Sequence, residues 1–294
     1  MRIANNSLKA MQDFYHKELS GHLGEAEAQA LFATAAEHYL HITRAKLTLN
    51  LAQRLNQSEI LQLYDCGKKL NESIPIQYIL GKAWFMDLQL DVNASVLIPR
   101  PETEELCALI LGENKGALSI LDIGCGSGCI PIALKKNLPE SDICACDISR
   151  EALDLAKKNA GRYHLDIYFI QCNILDEKSA SEKFREPFDV IVSNPPYILH
   201  SEKNLMEKQV LDHEPHQALF VEGEDPILFY RKIISLCQNN LKPGGRLYFE
   251  LNPLSAGTVQ TFAMDSGLFA KVQLINDMSG KQRFLVALRK DAEF

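Results

Sequence analysis

The chain has 294 residues, with 46% in the hydrophobic class and a formal net charge of −7. That length holds one large domain, or a large and a small one, around a sizeable core. The acidic balance argues against duplex nucleic acid as a direct partner. Neither a leader-like start nor an apolar run of membrane-spanning length is evident, so a soluble, cytoplasmic protein without membrane contact is expected, and a monomer is expected besides.

Residues 1–74 read as a small helical bundle. Apolar stripes at helical spacing run through Leu8, Met11, Phe14-Tyr15 and Leu19, then Ala28, Leu31-Phe32, Ala35 and Tyr39-Leu40, then Leu47, Leu51 and Leu55. Asn56 to Glu59 is a helix start, followed by Ile60-Leu61, Leu63-Tyr64 and Leu70. His38 and His41 lack a further metal ligand nearby and read as surface or satisfied histidines. No chemical constellation falls in this region, so a docking role is expected. Residues 75–95 read as a connecting β-hairpin in which Ile76–Gly81 and Trp84–Val92 are extended. Residues 96–294 form the larger domain, entered through the proline-stiffened Val96–Pro101 and a helix from Glu102 to Leu111.

From Leu118 onward strands and helices alternate. Strands are expected at Leu118–Ile123, Asp142–Cys146, Ile167–Gln171, Phe188–Ser193 and Arg246–Leu251. Helices are expected at Ile130–Leu138, Ser149–Ala160, Pro226–Asn240 and Ser255–Asp265. This alternation implies a parallel sheet covered on both faces. Lys271–Ile275 and Arg283–Leu288 share only a short polar link, so they must pair antiparallel. Among the eight cysteines, Cys125, Cys129, Cys144 and Cys146 crowd the middle, yet no CxxC pair occurs. Reduced packing cysteines and no metal site are therefore expected.

Two loops carry chemistry. Gly124-Cys125-Gly126-Ser127-Gly128 follows a strand and opens a helix, so its backbone turns sharply and a ligand can approach it closely. Asp147, at the end of the next strand, is placed to accept hydrogen bonds from ribose hydroxyls. Asp122 has two readings, orienting the loop or contacting a cationic group, and the first is favoured. Asn194-Pro195-Pro196-Tyr197 ends the Phe188–Ser193 strand, because consecutive prolines cannot continue a ladder. The Asn194 oxygen and Pro195 carbonyl could each accept one N–H of a planar NH2 group, while Tyr197 stacks on it. A delocalised nitrogen of that kind is a poor nucleophile, so positioning and paired acceptors are the means of using it.

Asp122–Gly128 with Asp147 resembles the cofactor site of S-adenosylmethionine-dependent methyltransferases with a seven-stranded Rossmann-like α/β sheet. Asn194–Tyr197 resembles the signature of those that methylate amide or exocyclic amine nitrogens. With Ile76–Gly81, Leu97–Glu104, Glu214-Pro215 and Ala218-Leu219-Phe220, the whole chain is similar to bacterial peptide chain release factor glutamine methyltransferases. The resemblance implies that Gly124, Cys125, Gly126, Ser127, Gly128, Asp147, Asn173, Ile174 and Asn194 hold S-adenosylmethionine. It implies that Asn194, Pro195, Pro196 and Tyr197 bind the substrate amide, with Asn194, Pro195 and Tyr197 catalytic. The implied substrate is the Gly-Gly-Gln glutamine of class 1 release factors. His213 and Asn252 depart from the family pattern. The competing readings are an adenine-N6 or RNA-base methyltransferase, which would want a basic face; a nicotinamide oxidoreductase, which leaves the proline platform unexplained; and a non-catalytic docking protein.

Overall fold

The first helix, α1 (Leu8–Leu23), begins at Ser7, whose hydroxyl accepts the Ala10 N–H. It belongs to a computed structural model that describes residues 5–176, 180, 183, 184 and 186–291. Three further helices follow: α2 (Glu25–Leu40), α3 (Arg44–Leu47) and α4 (Gln57–Asn71). Asn56 and Glu59 start α4 with a reciprocal capping box, as their spacing predicts. The apolar stripes meet in one core that contains Leu8, Met11, Tyr15, Leu19, Phe32, Leu63 and Leu70. The buried Tyr15 hydroxyl is satisfied by the Leu63 carbonyl at 2.8 Å.

The sequence reading of Ile76–Gly81 as extended is corrected by the structure. Ile76–Leu80 is a short helix, α5, that starts after Pro75 and stops at Gly81, which sits at φ +65°. Proline is tolerated at a helix start and glycine takes the left-handed stop, so the β-branched run is overridden by its caps. Packing acts in the same direction: Ile76 is buried in the helical core, and Ile79 and Leu80 lie against it. The hairpin is shorter, β1 (Lys82–Phe85) against β2 (Leu88–Asp91). Met86 and Asp87, both at positive φ, make its two-residue turn.

The chain divides into two units. One takes the chain up to Gly81 together with Glu207–His213; the other takes Lys82–Met206 and the chain from Glu214 onward. Within the first, His213 Nε2 lies 3.3 Å from the Glu72 carbonyl oxygen.

The second unit is built on a seven-stranded sheet. Its strands are β3 (Ser119–Ile123), β4 (Asp142–Asp147), β5 (Tyr168–Gln171), β6 (Phe188–Ser193), β7 (Leu241–Glu250), β8 (Phe269–Asn276) and β9 (Gln282–Arg289). Their spatial order is β5-β4-β3-β6-β7-β9-β8. The first five in that order run parallel, and β9 pairs antiparallel with both β7 and β8. The expected antiparallel end is therefore present. β7 starts five residues before the expected Arg246, because Leu241 pairs with Phe188 ahead of a bulge; regular pairing resumes at Arg246 and Val190.

Alternation along β6 shows how both faces are covered. Val190 and Val192 join a core with Leu106 and Ile110 of α6 (Pro101–Glu113) and Leu134 of α7 (Cys129–Asn137). Ile191 turns to the other face, with Tyr230 and Ile234 of α11 (Leu228–Asn240) and Phe249. The remaining helices are α8 (Arg150–Arg162), α9 (Lys208–His213), α10 (His216–Leu219) and α12 (Ala256–Asp265). Strand order reverses between β3 and β6, and the loops at their carboxyl ends flank the crevice where such sheets bind ligands.

Candidate active site

The glycine loop leaves β3 and is fastened to the end of β4. The Gly124 and Cys125 N–H groups both donate to the Cys146 carbonyl, at 2.8 and 3.0 Å. Gly126 N–H donates to Asp147 Oδ2 at 2.9 Å, and Ser149 N–H to Asp147 Oδ1 at 2.9 Å. Positive φ at Gly124 (79°), Gly126 (53°) and Gly128 (81°) makes the turn possible, and L side chains rarely adopt that conformation. Gly128 has a second reason to be glycine: a Cβ there would lie 3.0 Å from the Ala156 Cβ on α8.

Beside this loop is a cavity of about 500 Å³, in the size range of small-molecule sites. Its wall includes Gly124, Cys125, Gly126, Ser127, Asp147, Asn173, Ile174, Asn194, Pro195 and Pro196. The structure thus brings together residues drawn from the ends of four strands. Gly128 stands behind the wall as the start of α7. Tyr197, expected to stack on a planar group, is not on the wall either; it packs against the core of the α11 face. Its hydroxyl points to Glu250 Oε1 at 3.5 Å, the outer limit of a hydrogen bond.

Asp122 also departs from its reading. It is fully buried, does not line the cavity, and neither carboxyl oxygen has a hydrogen-bond partner among the described residues. Burial, with Asp147 nearby, pushes its pKa well above the ordinary carboxylate range. Among the described residues it therefore makes no hydrogen bond to the loop, and it is off the cavity wall. Asp147 is raised too, chiefly by burial and partly offset by its backbone N–H partners.

Two residues that sequence reasoning did not place at the site adjoin Asn194: Thr103, itself on the cavity wall, and Glu250, which is off it. Asn194 Nδ2 donates to Thr103 Oγ1 at 3.2 Å, and Thr103 in turn donates to Glu250 Oε2 at 2.7 Å. Thr103 is in the first turn of α6 and Glu250 ends β7; both are buried. Because the Asn194 NH2 is engaged with Thr103, its oxygen is left to accept from the cavity side.

The stretches Leu97–Glu104 and Glu214-Pro215 also meet in space. The buried Glu214 carboxylate accepts from the Ile98 N–H at 3.3 Å and pairs with the Arg100 guanidinium. Asn252 donates from Nδ2 to Glu202 Oε2 at 3.2 Å and to the Tyr197 carbonyl at 3.4 Å. It thereby ties the segment after the proline platform to the end of β7. The eight cysteines are free, six of them buried, and burial pushes Cys129 and Cys144 up to about 12. No grouping of His, Cys, Asp and Glu among the described residues is placed to hold a metal.

The residues present fit S-adenosylmethionine. Each Asp147 oxygen accepts one backbone N–H and keeps a lone pair for a ribose hydroxyl. At Gly124 and Gly126 a Cβ would meet nothing within 4 Å, so the loop leaves its ligand-facing side open.

The sheet order and the glycine loop define a Rossmann-like methyltransferase of the seven-stranded class. A methyltransferase from Pyrococcus furiosus has a similar fold, with a TM-score of 0.52 at 17% identity, covering 70% of this chain and 91% of its own. Residues 103–234 match the model of the methyltransferase small domain, and residues 16–81 that of the PrmC N-terminal domain. The release factor glutamine methyltransferase of Flavobacterium psychrophilum is 42% identical over 95% of this chain and 98% of its own length. That of Bacteroides thetaiotaomicron is 46% identical over 75% of this chain and 78% of its own. The chain belongs to the release factor glutamine methyltransferase family.

Proposed function

We propose that this protein methylates the side-chain amide nitrogen (N5) of the glutamine in the Gly-Gly-Gln motif of class 1 peptide chain release factors, using S-adenosylmethionine. Family membership supports the substrate class, and the polarity of Asn194 carries the chemistry. With its NH2 given to Thr103, Asn194 offers Oδ1 to one N–H of the substrate amide, and the adjacent Pro195 carbonyl offers a second acceptor. Asp147 and the glycine loop hold the cofactor, with Asn173 and Ile174 on the same wall.

S-adenosylmethionine supplies a methyl group already activated on a sulfonium. Asn194 Oδ1 and the Pro195 carbonyl would hold the amide nitrogen towards that methyl, which leaves its electron pair on sulfur, and the nitrogen would lose one proton to water. Two fixed acceptors favour this step because positive charge grows on the nitrogen and its N–H groups become stronger donors. The helical unit docks the folded release factor, and the enzyme acts as a cytoplasmic monomer. Incubation with labelled S-adenosylmethionine and purified release factor, followed by mass mapping, tests the reading. Label on the loop glutamine is expected. Label on another residue, or only on nucleic acid, overturns it.

A further inference from the structure

The Glu250–Thr103–Asn194 chain has a direction, and that direction decides what the cavity meets. Thr103 has a single hydroxyl proton. When that proton goes to the Glu250 carboxylate, the Thr103 oxygen becomes an acceptor, and only the NH2 end of Asn194 can serve it. Asn194 Oδ1 is then turned to the substrate. Should Glu250 carry a proton, it can donate to Thr103. The hydroxyl then donates to Asn194 Oδ1, and the Asn194 NH2 is left facing the substrate NH2, donor against donor.

We propose that Glu250 and Thr103 are positioning residues that fix which end of the Asn194 amide faces the substrate, so that methyl transfer requires the Glu250 carboxylate. The inference rests on the reading that a glutamine amide is the methyl acceptor. Glu250 is off the cavity wall, and Thr103, on the wall, gives its one hydroxyl proton to Glu250. They act through Asn194, and the chain of hydrogen bonds adds a second effect by polarising Asn194 Oδ1 towards negative charge.

The surroundings of Glu250 place the switch in a usable range. Its side chain is 2% exposed. Facing it are Glu102 and Cys107 from α6, Cys129 from α7, Tyr197 beyond β6, Tyr230 from α11 and Arg283 from β9. Arg283 is the cation among them, and it is itself paired with Asp277 at 3.2 Å. Burial outweighs that cation and the Thr103 hydrogen bond, and Glu250 is pushed up to about 7.

The test uses the full-length protein with release factor and S-adenosylmethionine, both saturating. Thr103→Val removes the hydroxyl at nearly constant volume, Thr103→Ser restores it, and Glu250→Gln keeps the shape without the charge. Wild-type kcat is expected to fall about tenfold per pH unit below an acid limb near pH 7. Thr103→Val and Glu250→Gln should lower kcat by roughly 10–100-fold, less than loss of a direct contact, and flatten that limb. S-adenosylmethionine affinity by calorimetry should stay within about twofold, and Thr103→Ser should return most of the rate and the limb. An unchanged kcat with the wild-type limb in either variant overturns the relay while leaving the glutamine reading intact. Loss of cofactor affinity together with kcat in both variants marks a structural role and also overturns it. A wild-type protein that leaves the glutamine unmodified removes the functional reading and the relay with it.

Discussion

Asn194 and Asp147 sit on one cavity wall, yet different measurements separate their tasks. Asn194→Ala removes an acceptor that matters most as charge develops, so kcat should drop by about 10²–10³ with cofactor affinity nearly unchanged. Single-turnover rates close to wild type would place the acceptor elsewhere. Asp147→Ala should instead weaken S-adenosylmethionine binding by roughly 1.5–3 kcal/mol, since a charged acceptor is lost. The loss should sit at the upper end, because Asp147 also holds the Gly126 and Ser149 N–H groups and so shapes the loop. Calorimetry reads this directly. Glu250 adds a stability prediction whose sign follows from its raised pKa, about 7 against an ordinary 4.5. Between those values the folded state holds a proton that the unfolded state has released. The contribution is therefore complete below pH 4.5 and lost as pH rises to 7, a difference on the order of 3 kcal/mol. Glu250→Gln should accordingly melt higher than wild type at pH 8 and much less so at pH 5, even as activity falls. An equal shift at both pH values would mean that ionisation of Glu250 carries no cost. The two loops were legible because each is a contiguous run whose residue types announce a turn and a platform. Thr103 and Glu250 were not, since their partners lie 91 and 147 residues away in the chain. The one signal was a carboxylate ending an apolar strand.

Elements read from periodicity held where local pattern and packing agree. All seven strands show in hydrophobic runs, since a strand buried on both faces leaves few polar residues to confuse the pattern. The helices α7, α8, α11 and α12 show as well, whereas the short α9 and α10 were not read from the sequence. Ile76–Leu80 shows the converse: its β-branched and aromatic content suits a strand, and only its proline and glycine caps and its place in a helical core make it a helix. The early start of β7 was equally hidden, because Lys242-Pro243-Gly244-Gly245 looks like a turn and pairing ahead of it depends on Phe188 in another strand. Close packing is hidden in the same way at Gly67 on α4. A Cβ there would lie 2.7 Å from the Phe14 ring and 3.0 Å from the Tyr15 ring on α1. Tyr15 cannot yield easily, being fully buried and hydrogen-bonded to Leu63. Gly67→Ala should therefore destabilise the helical unit by about 1–3 kcal/mol, despite alanine's better helix propensity. Thermal unfolding followed by circular dichroism measures this. A stabilised variant would show that the two aromatic rings give way freely.

Each of the two units has apolar packing of its own. The apolar residues of the helical unit close on one another in a single cluster, and those of the sheet unit form two, one on each face. The cavity and every residue of the relay belong to the sheet unit. The helical unit contains no site residue, and its match to the PrmC N-terminal domain over residues 16–81 assigns it to the family as a unit. Its proposed task follows from what the chemistry needs. A glutamine side chain offers too little surface to be selected among all the glutamines of a cell. Remote contacts with a folded protein can hold its amide against Asn194 and use that binding energy for orientation. A cut at Pro75, the limit suggested by sequence, would leave α5 without its helical core, so the better truncation begins at Lys82. The segment Lys208–His213 would then lose its companions, including the His213 contact with Glu72, but it buries no side chain of its own. The truncated protein should bind S-adenosylmethionine within about threefold of the full chain while kcat/KM on intact release factor falls at least 10²-fold, the scale of lost positioning. Circular dichroism and gel filtration must first show it folded, since newly exposed apolar surface promotes aggregation. A short peptide carrying the Gly-Gly-Gln loop supplies the deciding contrast. If docking is the role, full-length and truncated proteins should methylate that peptide at similar low rates, because neither can apply remote contacts to it. A folded truncation that methylates intact release factor at the full rate would end the docking assignment.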